Sequence, residues 1–78
     1  KGGKAEALEV IVDVEKNKGL IGKGIDEIKV PEGCMIGALL RDKEVKIAHH
    51  DVKIAENDHL IIFLADKSNF EKLENSLS

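Results

Sequence analysis

A chain of 78 residues has room for one domain with a thin core, and domains of this size often gain stability by associating. Its 42% apolar and 35% charged residues exclude a disordered tail, which would be poorer in Val, Ile and Leu. The net charge is −3, no basic stripe is present, and the aromatics are only Phe63 and Phe70, which argues against a nucleic-acid binder.

In chain order, Lys1 to Ala5 reads as linker or a remnant of a larger chain, and no secretory signal opens it. From Glu6 to Val14 the pattern alternates, with Leu8, Val10, Val12 and Val14 on one face of an expected strand. Asn17-Lys18-Gly19 breaks it. Ile21, Ile25 and Ile28 then follow at helical spacing, so a short helix is expected through Gly24–Ile28, with Asp26 and Glu27 near its start. Val30-Pro31-Glu32-Gly33 closes that segment with a turn.

Cys34 to Arg41 reads as a second strand, Asp42-Lys43 as a tight connection, and Glu44 to His49 as a third strand with Val45 and Ile47 on one face. Asp-Lys is a weak hairpin signal, because Lys disfavours positive φ. Val52–Ile54 is a short extended piece, and Asn57 suits a left-handed turn position. His59 to Leu64 is apolar on both faces, as a central strand would be, and its second cover is expected from another protomer. The apolar run ending at Ala65 is far too short to span a bilayer. A last helix is expected with a Ser68–Glu71 capping box and an apolar stripe of Phe70, Leu73 and Leu77. The expected class is therefore α+β.

The chemistry-bearing residues form no catalytic constellation. Cys34 is single, so it forms no internal disulfide, and no His stands at a nucleophile–base spacing from it. Gly19, Gly22 and Gly24 miss both phosphate-loop patterns: Glu27 stands where a dinucleotide fingerprint needs Gly, and Gly24 where a Walker loop needs Ser or Thr. His49, His50 and His59 are the alternative, metal-binding reading, although adjacent strand residues point apart and His49 and His50 cannot easily share an ion. Arg41 ends an apolar strand where its guanidinium can pair with a carboxylate or grip a phosphate, with Asp42 and Glu44 the nearest carboxylates in sequence.

The order of these features resembles the RCK C-terminal (TrkA-C) domain family over about Leu8 to Leu77. The closest runs are Gly24-Ile25-Asp26-Glu27-Ile28-Lys29-Val30-Pro31 and Asn57-Asp58-His59-Leu60-Ile61-Ile62-Phe63-Leu64. Two positions depart from the family pattern: His49-His50-Asp51 replaces a turn that often carries Pro, and Asn57 replaces a usual Gly. The resemblance implies that residues 6–78 form a small, mainly antiparallel sheet with a short helix after the first strand and a helix at the C-terminus. It further implies a homodimerising regulatory domain of a potassium-uptake regulator, cytoplasmic and peripheral on the inner face of the bacterial membrane. Its implied partners are the N-terminal nucleotide-binding RCK domain of the same protein, a potassium-transporting membrane subunit and a small-molecule effector. The same module serving another cation channel or antiporter is the nearest alternative. NAD or ATP is expected only in the companion domain, so no cofactor is assigned to this chain. The residues expected to line a ligand site or the dimer interface are Ile36, Arg41, His49 and His50.

Overall fold

The structure, a computed structural model, describes residues 5–49 and 51–78. Residues 1–4 of the expected linker Lys1–Ala5, and His50, lie outside the described residues. Four strands, β1 (Glu6–Ile11), β2 (Cys34–Arg41), β3 (Glu44–Ile47) and β4 (His59–Leu64), form one antiparallel sheet in the order β1-β4-β2-β3. Helix α1 (Phe70–Leu77) follows the last strand. The α+β class and the central position of His59–Leu64 thus agree with the sequence.

β1 is shorter than the Glu6–Val14 expectation because Asp13 stops it. The Asp13 carboxylate accepts the N–H groups of Glu15 and Lys16, at 2.9 and 2.8 Å, and these bonds hold it below the usual carboxylate pKa, the Lys16 bond foremost. An Asx turn of this kind gives the backbone partners that the ladder would otherwise supply. Val12 still reaches the core, whereas Val14 is exposed. β3 likewise ends at Ile47 instead of His49, with Ala48 N–H making one further bond to the Gly37 carbonyl.

The expected helix at Gly24–Ile28 is only a 3-10 turn, Ile25–Glu27. The reason lies in the backbone partners. Gly22 N–H donates to the Ile54 carbonyl, Ile54 N–H to that of Lys23, and Ile25 N–H to that of Val52. Gly24 pairs with Lys53 in an isolated antiparallel bridge. These bonds commit the segment to an extended neighbour and leave one turn free to coil. Gly22 enters it at φ 89°, a conformation that a Cβ would strain. Ile25 and Ile28 nevertheless reach the core, so the spacing identified the buried residues and not the helix.

The capping box is corrected too. The Asp66 carboxylate, not Ser68, takes the first free N–H, that of Ser68 at 2.9 Å, and a 3-10 turn over Lys67–Asn69 leads into α1. At the other end of α1, buried Asn17 donates through Nδ2 to the Leu77 carbonyl at 2.7 Å, satisfying one of the carbonyls that a helix C-terminus leaves unpaired.

The core lies on one side of the sheet. Ile36, Leu39, Leu60, Ile62 and Leu64 point into it from the strands. Leu73 and Leu77 of α1 close it, helped by Leu20, Ile25, Ile28 and Ile54 from the connections. A register shift between Ile36 and Ala38 opens a bulge at Gly37, which moves the buried phase of β2 from Ile36 to Leu39. The same shift sends Arg41 to the core side.

Candidate functional site

Two features stand out once the core is accounted for, an ion pair at one end of the sheet and the sheet's open face.

The ion pair is Arg41 with Asp58. Arg41 Nε donates to Asp58 Oδ1 at 2.8 Å and its Nη2 to Oδ2 at 2.7 Å, a bidentate fork. The same Nη2 bonds the Lys53 carbonyl at 2.7 Å, and Asp58 Oδ2 also accepts the Ala55 N–H at 2.8 Å. The Asp58 side chain is 1% exposed and that of Arg41 33%. Burial pushes the Asp58 carboxyl up, but the hydrogen bonds from Arg41 and Ala55 outweigh it and leave the pKa below the ordinary value. Asp58 in turn raises the Arg41 pKa, against the smaller opposing effect of desolvation. Neither Asp42 nor Glu44 is the partner. β2 and β4 pair as far as Leu40 opposite His59, so Arg41 and Asp58 occupy the next position of the same ladder. The pair joins β2, the 53–55 segment and the turn before β4.

The other expected site residues are dispersed. Ile36 is a core residue. His49 follows β3, with its Nδ1 3.7 Å from Asp51 Oδ2. Because Ala38 pairs with Ile47, His49 lies towards the Ile36 end of β2, and Arg41 stands five residues, roughly 16 Å, away at the other end. What connects them is the 48–54 segment, which begins beside His49 and is held at Lys53 by Arg41. His59 is apart from these, bonded through Nδ1 to Glu9 Oε2. Among the described residues no group of three His, Cys, Asp or Glu side chains is arranged to hold a metal. Among the described residues no helix is long and apolar enough to cross a membrane.

The open face is the side of the sheet away from α1. Cross-strand partners share a face, which groups its residues in rows. Ile11, His59, Leu40 and Val45 form one row, Glu9, Ile61, Ala38 and Ile47 the next, and Ala7, Phe63 and Met35 the third. Ile11, Met35, Val45, Ile47 and Phe63 are all exposed, Ile47 at 70%. The 4 strands, 4.8 Å apart and about six residues long, give this face roughly 400 Å² of flat area. That is within the range of the largest apolar patches on soluble monomers, which are often functional. The second apolar face of His59–Leu64 was legible in the sequence. Its continuation onto β2 and β3 was not, although the alternation of Val45 and Ile47 was its signal.

Comparison with known proteins places this arrangement. Residues 9–78 match the model of the TrkA-C domain. The chain is 42% identical over 73 residues to the Trk system potassium uptake protein TrkA of Haemophilus influenzae, covering 92% of this chain and 16% of that protein. Against the protein of that name from Halomonas elongata it is 43% identical over 74 residues, with the same coverages. A TrkA homolog of Archaeoglobus fulgidus is 33% identical over 69 residues, covering 88% of this chain and 16% of that protein. The chain thus spans about one-sixth of the length of these relatives. A solved structure described as an RCK domain with cda superimposes with a TM-score of 0.71, over 92% of this chain and 97% of that one, at 17% identity, a likeness of fold. With the sheet, the closing helix and the family model in agreement over 70 consecutive residues, the chain belongs to the TrkA-C domain family.

Proposed function

We propose that this chain is the regulatory module of a potassium-uptake regulator and that it pairs with a second copy of itself through the open sheet face. In this reading it works in the cytoplasm, at the inner face of the membrane, beside a nucleotide-binding RCK domain of the same protein and a potassium-transporting membrane subunit. Its role is regulatory and not catalytic, gating that subunit in response to a small-molecule effector. NAD or ATP is assigned to the companion domain, because the glycines here fit no phosphate-loop pattern.

The observation that carries the pairing is the open sheet face. It is apolar across all four strands and is covered by no element of the described chain. Its charges are Glu9 and His59, which bond one another, so each brings its own partner into a face-to-face stack. Sheets of this kind pack about 10 Å apart with interdigitating side chains. The effector site of this reading is the 48–54 segment: it begins beside His49, includes His50, and Arg41 fastens it to β2, on which Ile36 also lies.

Sedimentation equilibrium tests the pairing. The wild-type chain is expected to dimerise, and Ile47→Lys combined with Val45→Lys to weaken the dimer by at least about 100-fold, since two desolvated ammonium groups enter each half of the interface. Both residues are exposed, so circular dichroism should show an unchanged fold. A strict monomer at high concentration, or a dimer indifferent to these substitutions, overturns the proposed surface. A thermal-shift screen of nucleotides and ions tests the sensing role, because a ligand that binds only the folded form raises its melting temperature.

A further inference from the structure

The same face contains a titratable pair with a consequence for assembly. Glu9 and His59 are the charged groups among the apolar rows of the open face, and they bond one another across β1 and β4. Their side chains are half-exposed, at 51% and 36%. Around them stand Ile11 on β1, Ile61 on β4 and Leu40 on β2, all on the same face. We propose that pairing of two copies through this face is proton-linked, favoured when His59 is protonated and weakened when it is neutral. The inference rests on the pairing proposed above and names its control.

The physical argument concerns what the interface must desolvate. With His59 protonated, the Glu9–His59 pair is neutral overall and each charge keeps its partner when water is removed. With His59 neutral, Glu9 enters an apolar interface as a carboxylate opposite a weaker, uncharged partner, and burying a charge without its counter-ion is costly. Each half of a two-fold interface carries the same burden, so the effect enters twice.

Of the neighbouring charged groups, Lys16 lines the same cavity as Glu9, and the others are turned away or already held. From β2, Leu40 faces His59 in register, and the next residue, Arg41, is turned to the core side and committed to Asp58. From the start of β4, Asp58 is also on the core side; it is close enough to feel the His59 charge but already holds the Arg41 fork. On β1, Glu6 pairs with Leu64 and so lies on the core side, and the Asp13 carboxylate is occupied by its own turn.

Sedimentation equilibrium of this chain at pH 6.0 and pH 8.0 reads the linkage. The wild type is expected to show a dimer dissociation constant at least about tenfold larger at pH 8.0, in line with uptake of up to two protons per dimer. The double variant Glu9→Gln with His59→Gln removes both charges and is expected to dimerise equally at both pH values. A wild-type dimer whose dissociation constant is the same at both pH values overturns the linkage and leaves the pairing standing. So does a double variant that retains the wild-type pH dependence. A chain that is monomeric at both values, or a dimer insensitive to Ile47→Lys, overturns the pairing itself and the linkage with it.

Discussion

Replacing Arg41 by Met keeps the apolar stem of the side chain and deletes the fork that holds Asp58. Three hydrogen bonds are lost, those to Asp58 Oδ1, to Asp58 Oδ2 and to the Lys53 carbonyl. Asp58 is left 1% exposed with the Ala55 N–H as its remaining donor. Breaking a buried pair from one side costs about 3–5 kcal/mol, and because Arg41 is one-third exposed the lower end applies, about 3 kcal/mol. In a domain of this size 1 kcal/mol moves the melting temperature by about 4–8 °C, so a fall of roughly 12–24 °C at pH 7 is expected in a calorimetric or circular-dichroism melt. The pH dependence sharpens the test. In the wild type the folded Asp58 pKa is lowered, so its contribution is present above the unfolded value of about 3.9 and disappears as pH falls through the folded one. In Arg41→Met burial acts unopposed by the guanidinium and raises that pKa, so protonation favours the folded form and the deficit shrinks as pH falls from 7 towards 4. Adding Asp58→Asn to Arg41→Met should recover part of the loss at pH 7, because no buried charge then remains. A melting temperature for Arg41→Met within 2 °C of wild type, or a deficit that grows on acidification, would refute the account of Arg41 as the counter-charge of Asp58.

Further expectations concern the backbone. Asp42 and Lys43 both sit at positive φ, 51° and 70°, so replacing Lys43 by Gly should stabilise the hairpin by about 1 kcal/mol, read as a higher urea midpoint at unchanged slope. A Cβ at Gly37 would lie 2.4 Å from a Phe63 ring carbon, so Gly37→Ala should cost about 1–3 kcal/mol, and pairing it with Phe63→Leu should return much of the loss in a double-mutant cycle. Asn17→Ala removes the buried bond to the Leu77 carbonyl and should destabilise by about 1–2 kcal/mol, visible as earlier hydrogen exchange in the last turn of α1.

The strands were legible because alternation is a local signal: Leu60, Ile62 and Leu64 announce a buried face wherever their partners lie. The short helix was misjudged for the converse reason. Ile21, Ile25 and Ile28 reach the core at helical spacing, but the bonds that prevent coiling come from Val52 and Ile54, some 27–32 residues further on. The Arg41–Asp58 fork needs the β2–β4 register, and that register carries a bulge at Gly37 which no local pattern announces. Arg41 was therefore recognisable as a charge in search of a carboxylate, while its carboxylate was not identifiable from Asp42 and Glu44 alone. The open face had the opposite history. Its apolar residues were visible strand by strand, and only the assembled sheet shows that they form one surface with a single bonded pair of charges within it.

The position of β4 has a consequence for how the chain acquires its shape. It is the strand made last, yet both β1 and β2 depend on it, through pairings such as Leu8 with Ile62 and Ile36 with Ile62. Of the three strand pairings, only the β2–β3 hairpin joins neighbours in sequence. During synthesis, β1 must therefore wait some 50 residues for its partner, paying the loop-closure entropy before any ladder bond rewards it. Folding should then be slow for a domain this small and limited by the arrival of one segment. Until that segment docks, the ladder edges of β1 and β2 that it later covers stay open to other chains.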